Sequence, residues 1–187
     1  GAAYDAQARK LAAMFRENIT KFGDAVPANI LAALTELRVA YVDLEGNERE
    51  GSIVVHQDLA NDVRALFEEM RARRFPLASV IPASDPRFGW DDAKLMAANN
   101  ASGFNYRVIA GTERLSYHAY GRAIDLNPAL NPYIRDGRIE PTGATYDLSK
   151  PGTIGPDSFI VGFLESRGWT WGGRWTEPID YQHFQKP

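Results

Sequence analysis

The sequence predicts an α+β fold, with helices in the first half and antiparallel strands in the second. Three observations carry this. Apolar residues recur at helical spacing early in the chain, short β-rich runs follow, and the last fifth is aromatic and broken by Gly and Pro. The chain has 187 residues, 44% of them hydrophobic and 24% charged, which suits one domain with a proper core and is short for two.

Taken in order, Tyr4, Ala8, Leu11, Phe15, Ile19 and Phe22 place an amphipathic helix over residues 4–22, ended near Gly23. A short helix is expected after Pro27, with Ile30, Leu31, Leu34 and Leu37 facing inward. Residues 38–56, RVAYVDLEGNEREGSIVVH, read as a hairpin: two β-rich runs flank the turn at Glu45, Gly46, Asn47 and Glu48. Asp58 is expected to cap a helix that carries Leu59, Val63, Phe67 and Met70 on one stripe, with Pro76 closing it.

Residues 82–103 change character. Pro82, Pro86, Gly89, Asp91, Asp92, Asn99, Asn100 and Gly103 predict a long polar loop of the kind that carries function or moves. NYRVIA (105–110) and AIDLN (123–127) read as strands, and 128–156 as a second long loop. Residues 156–168 read as a helix, with Pro156 and Asp157 at its start and Gly168 as its stop. WTWGGRWTEPIDYQHFQ (169–185) suggests two short strands around a Gly-Gly turn.

Composition excludes several classes. With 21 Lys+Arg against 24 Asp+Glu, the chain lacks the basic footprint of a nucleic-acid binder. No apolar run approaches the roughly 20 residues of a membrane span. The absence of cysteine excludes a disulfide scaffold, a thiolate zinc site, an iron–sulfur cluster and a cysteine nucleophile. The chain opens at Gly1 with neither Met nor a signal-like segment, which reads as a trimmed chain.

Any imidazole chemistry rests on His56, His118 and His183. His56 ends the apolar run IVVH, reads as structural and is assigned no site role. His118 lies in SYHAYGRAIDLNP, seven residues before Asp125, and His183 lies in DYQHF, three after Asp180. Two imidazoles and a carboxylate are the ligand set of a catalytic zinc with its fourth position open to water. A second carboxylate beside the last ligand suits a general base. The same set also holds non-haem iron in oxygenases, so the metal stays open on these residues alone. Seven residues span roughly 23 Å as strand and roughly 10 Å as helix, so the chain must turn back between His118 and Asp125. Gly121 sits where that turn is needed. Asp180 and His183 would point to opposite faces of a regular strand, so a turn is required there too.

At these residues the sequence resembles a known family. Ser116, His118, Gly121, Ala123 and Asp125 form S-x-H-x-x-G-x-A-x-D, and Trp171, Gly172, Gly173, Trp175, Asp180, His183 and Phe184 form W-G-G-x-W followed by D-x-x-H-F. Both are similar to motifs of the zinc peptidases of peptidoglycan: the D-alanyl-D-alanine carboxypeptidases, including the vancomycin-resistance type, and the L-alanyl-D-glutamate endopeptidases. NNASGFNYR (99–107) and DLNPALNPY (125–133) add to the likeness, which spans about residues 38–187.

The resemblance implies a small antiparallel sheet carrying the zinc site, flanked by helices, as in hedgehog and D-Ala-D-Ala peptidase domains. It implies a peptidase domain over 38–187, with 1–37 a helical segment packed on it. It implies that His118, Asp125 and His183 bind Zn2+, that Asp180 is the general base and acid, and that Arg107 polarises the scissile carbonyl and steadies the oxyanion. Many relatives carry Glu where Asp180 stands, one methylene longer. Ser116, Trp171 and Trp175 are candidates for substrate binding, against capping for Ser116 and core packing for the tryptophans. For Arg107 the alternative is a surface ion pair. Arg174 is a further candidate anchor for substrate carboxylates.

The expected activity is hydrolysis of peptidoglycan stem peptides, foremost as a D-alanyl-D-alanine carboxypeptidase. The alternatives are an L-alanyl-D-glutamate endopeptidase, as in phage-type lytic enzymes, and a silent zinc-bearing module that binds peptidoglycan. An exo-acting enzyme needs a cation for the terminal carboxylate, and an endo-acting one needs an open groove. The substrate lies outside the cytoplasmic membrane, so the protein is expected to be exported, periplasmic or wall-associated, and a monomer.

Overall fold

The computed structural model describes residues 26–187, so the helix expected over 4–22 lies outside the described residues. Helix α1 (Ala28–Ala33) follows Pro27, whose ring suits a helix start. It stops one residue before Leu34, because Leu34 and Leu37 belong to strand β1 (Leu34–Val42) and not to the helix. β1 pairs antiparallel with β2 (Glu48–His56) along its whole length, from Leu34 opposite His56 to Val42 opposite Glu48. This continuous ladder overrides the weak helical preference of a few residues.

Asp43 makes the hairpin turn. Its Oδ1 accepts from the amides of Glu45 and Asn47 at 3.0 and 2.9 Å, and its Oδ2 accepts from Arg49 Nε at 2.8 Å. Period-2 alternation then sorts the side chains. Leu37, Val39, Tyr41, Ile53 and Val55 face the main core, while Leu34 and Val54 face a second cluster with Ile30, Phe88, Trp90, Leu95 and Phe104. The hairpin is therefore a wall between two cores.

Helix α2 (Ala60–Ala72) lies on the main-core face through Val63, Leu66, Phe67 and Met70. Each is buried, and each such side chain contributes about 1.5–3 kcal/mol on removal from water. Its start differs from the expected one. The cap is His56, whose Nδ1 accepts from the Asp58 amide at 3.0 Å and opens a 3₁₀ turn (Gln57–Leu59) that runs into α2. Asp58 Oδ2 lies 3.7 Å from Arg122 Nη1 instead. Structural capping thus accounts for the third histidine.

The two expected long loops both contain structure. Within 82–103, Asp91 caps helix α3 (Asp92–Ala97) by accepting from the amides of Ala93 and Lys94. Strands β3 (Ser79–Val80) and β4 (Asn100–Ala101) pair in parallel around this excursion. Within 128–156, strands β6 (Tyr133–Arg135) and β7 (Arg138–Glu140) form a hairpin. Buried Asn131 ties the rest of that segment down: its Nδ2 donates to Gly152 O and its Oδ1 accepts from the Ile154 amide. Residues 105–110 are not a strand. Only Val108 bridges to Leu115, so the segment is the start of a closed loop whose amides turn back on it, Ser116 N to Arg107 O and Ile109 N to Arg114 O.

Strand β5 (Ala123–Asp125) matches the expected run for its first three residues. Helix α4 (Phe159–Glu165) starts later than expected, with Ser158 rather than Pro156 or Asp157 as its cap. The tail makes three strands where two were expected: β8 (Thr170–Trp171), β9 (Ile179–Asp180) and β10 (His183–Gln185), with a 3₁₀ turn over Gly172–Arg174. β10 lies between β5 and β8, antiparallel to both, and β9 extends the β7–β6 hairpin. The α+β class and the small antiparallel sheet hold.

Candidate metal centre and its cavity

The ligand set is assembled by one turn and one register. Ser116 Oγ accepts from the His118 amide at 3.2 Å and starts a 3₁₀ turn over Tyr117–Tyr120. Gly121 ends it with φ +69°, a left-handed backbone that an L side chain resists. A Cβ there would also lie 2.6 Å from the backbone nitrogen of His56. The chain reverses at this glycine and enters β5, which ends on Asp125. Opposite Asp125, in register across β10, stands His183. Side chains of directly opposed residues share a face of the sheet.

The three side chains are buried, and one ligand atom from each lies within 4.8 Å of the others. Asp125 Oδ2 is 3.1 Å from His118 Nε2, and Asp125 Oδ1 is 3.2 Å from His183 Nδ1. His118 Nε2 and His183 Nδ1 are 3.2 Å apart.

The remaining ring nitrogens are spoken for. His118 Nδ1 donates to Gly103 O at 2.7 Å, and His183 Nε2 donates to Gln185 Oε1 at 2.8 Å. Both acceptors lack a proton, so with a cation bound each ring would keep its hydrogen on the outer nitrogen and turn the inner lone pair to the ion. Two imidazoles fixed from behind and one carboxylate fit a zinc ion with an open position. Gly103 belongs to this set: it crosses strand β2 so closely that a Cβ would overlap Val54 O. Neither Gly103 nor Gln185 stood out in the sequence, since the carbonyl of one and the reach of the other depend on the folded chain.

Asp180, Arg107, Trp175 and Ser116 line the same cavity as Asp125 and His183, a space of about 160 Å³. Asp180 lies on β9, separated from His183 by the turn at Tyr181 and Gln182. Its Oδ1 is buried and has no hydrogen-bond partner among the described residues. Burial pushes the Asp180 carboxyl up to about 8; His183 opposes this, and Asp125 and Asp92 add to it. Burial also disfavours the charged form of Asp125, but His118 and His183 hold it well below the usual carboxylate range. Burial opposes a charge on His183, yet the hydrogen bond and charge of Asp125 raise it to about 8. Such crowding of carboxylates and imidazoles suits a bound cation.

The structure separates the other candidates. Trp175 packs its ring against His183, with centroids 5.4 Å apart. Trp171 lies in the main core, stacked near Phe184 and donating from Nε1 to Tyr181 O, and does not line the cavity. Ser116 lines the cavity while its hydroxyl caps the His118 turn. Arg174 is outside the cavity, bound to Glu165 at 2.7 Å. Arg107 reaches the cavity wall, with Nη2 3.7 Å from Asp92 Oδ2. Asp92, read from sequence as part of a polar loop, is the carboxylate that sequence reasoning missed. The signal was the pair Asp91-Asp92: one caps α3 and the next is left to face the cavity.

The family model described as D-alanyl-D-alanine carboxypeptidase matches residues 110–186. No curated protein and no solved structure matches the chain. The matched segment contains all three candidate ligands, His118, Asp125 and His183, together with Asp180. Residues 110–186, which carry the three candidate ligands, are thus similar to the D-alanyl-D-alanine carboxypeptidase family of peptidases.

Proposed function

We propose that the protein is a zinc-dependent peptidase that hydrolyses peptidoglycan stem peptides, as a D-alanyl-D-alanine carboxypeptidase. The observation that carries this reading is one cavity lined by Asp125 and His183 of the ligand set and by Asp180, whose Oδ1 has no hydrogen-bond partner among the described residues. Zinc bound by His118, Asp125 and His183 would supply Lewis acidity and lower the pKa of water. Asp180 takes a proton from the attacking water and passes it to the leaving amine, the task for which a carboxyl raised toward neutrality is suited. Arg107 donates to the developing oxyanion. Trp175 walls the cleft beside His183. A substrate outside the cytoplasmic membrane implies an exported, periplasmic or wall-associated enzyme acting as a monomer, to be checked by cell fractionation and light scattering.

A second reading, the L-alanyl-D-glutamate endopeptidase, is favoured by one observation. The cavity shares Met96 and Glu140 with an open groove of about 630 Å³ that runs along α3 to Lys150. Among the described residues, Arg107 is the one Lys or Arg lining the inner cavity, so a terminal carboxylate and an oxyanion would compete for it. A synthetic stem pentapeptide ending in D-Ala-D-Ala, incubated with zinc-loaded protein and read by mass spectrometry, separates the two. Chelator-sensitive loss of one alanine supports the carboxypeptidase. Cleavage between L-Ala and D-Glu replaces it with the endopeptidase, and an uncut peptide points to a cross-linked or glycan-attached substrate or to the silent module.

A further inference from the structure

Arg107 has a long side chain with several torsions, and oxyanion donors act only when held in place. Its backbone is held: Arg107 O accepts from Ser116 N at 3.0 Å, two residues from His118. The guanidinium is held far less. Nη1 reaches Val108 O only at 3.5 Å, and the buried Nε has no partner among the described residues. Among the described residues, the one carboxylate within ion-pair distance is Asp92, at 3.7 Å.

Asp92 itself is well anchored. It is the first residue of α3, whose opening turn is pinned by the Asp91 cap and whose Leu95 and Met96 are buried. Its carboxyl lines the cavity together with Arg107. The separation of 3.7 Å is longer than the roughly 2.7–2.9 Å of a tight charge-assisted hydrogen bond. Asp92 therefore aims the guanidinium by charge without consuming its donors.

Resting on the peptidase reading above, the geometry points to Asp92 as the positioning residue that holds the Arg107 guanidinium at the cavity wall, ready for the substrate oxyanion. The pair spans two segments, the start of α3 and the loop at 107–116, that share no strand pairing. Without Asp92, nothing among the described residues directs that side chain toward the cavity.

The test uses the full chain, with Asp92→Asn as the near-isosteric variant and Asp92→Ala, Arg107→Ala and the double variant Asp92→Ala/Arg107→Ala beside it. On the peptide that the wild type cuts, Asp92→Asn is expected to lower kcat roughly 10- to 100-fold, with KM and zinc content unchanged. The double variant should be no slower than Arg107→Ala alone, because Asp92 acts through Arg107. Wild-type kcat in Asp92→Asn overturns the proposal, and so does a double variant whose losses multiply. An independent readout is the Arg107 Nε–H signal in 15N-labelled protein, assigned by its loss in Arg107→Lys. Asp92→Asn should lower its heteronuclear NOE, and an unchanged NOE counts against the proposal. A zinc-loaded wild type that cuts no stem peptide removes the peptidase reading, while the NOE still decides whether Asp92 holds Arg107.

Discussion

Asp125 and His183 face each other across the antiparallel β5–β10 pair, and their Oδ1 and Nδ1 atoms meet at 3.2 Å. The residues beside them, Ile124 and Phe184, are also paired and fully buried in the main core. Alternation puts the ligands on one face and the apolar anchors on the other. A one-residue slip would exchange the two faces, so the core burial of Ile124 and Phe184 fixes the ligand geometry.

The first prediction follows from that coupling. Phe184→Ala should destabilise the fold by about 3–5 kcal/mol, seen as a fall in Tm of about 2–4 °C per kcal/mol for a chain of this size. It should weaken zinc binding as well, although the Phe184 side chain lies on the opposite face of the sheet from the ligands. Wild-type zinc affinity in a folded Phe184→Ala variant would separate the core from the site.

The ligands and the base should divide cleanly. His118→Ala, Asp125→Ala and His183→Ala should each lose bound zinc by elemental analysis. Asp180→Asn should keep it and lose about 10²–10⁴-fold in kcat. Loss of metal in Asp180→Asn would make Asp180 a ligand rather than the base.

Gln185 holds His183 from behind at 2.8 Å. Gln185→Ala should weaken zinc binding by about 10–100-fold with little change in Tm for the metal-free protein, measured by competition with a chromogenic chelator.

Gly121 tests the turn. Gly121→Ala places a Cβ on a backbone with φ +69° and into the His56 amide. The left-handed conformation alone costs about 1–2 kcal/mol, and the overlap adds to it. A lower Tm together with lost zinc is the expected result; a wild-type Tm would show that the turn has another route.

Asp43 gives a pH-dependent prediction away from the site. The hydrogen bond from Arg49, then those from the Asn47 and Glu45 amides, lower its carboxyl from 3.8 to about 2. A lowered carboxyl contributes stability above its unfolded value and loses it as pH falls through the folded value. Asp43→Asn should therefore have a lower Tm than wild type at pH 7, and the gap should close between about pH 4 and pH 2. A gap of equal size at pH 2 would place its cause in turn geometry rather than charge.

The amino-acid sequence by itself marked out the candidate ligand set. Residue types and spacing marked out two imidazoles, a carboxylate and a neighbouring carboxylate, and required a turn at Gly121, because neither regular strand nor helix lets His118 and Asp125 share an ion. Apolar periodicity likewise marked the β1–β2 hairpin and the buried stripe of α2. Local pattern did not mark α3 or the β6–β7 hairpin, since both are short and take their stability from neighbours. It did not show that His56 caps the 3₁₀ turn leading into α2 or that Trp171 is core. The tertiary structure alone decided which outer groups fix the ligands, Gly103 O and Gln185 Oε1, and which carboxylate stands beside Arg107. Those contacts join residues by strand register, by close backbone crossing and by loop closure, and none of these has a period in the chain.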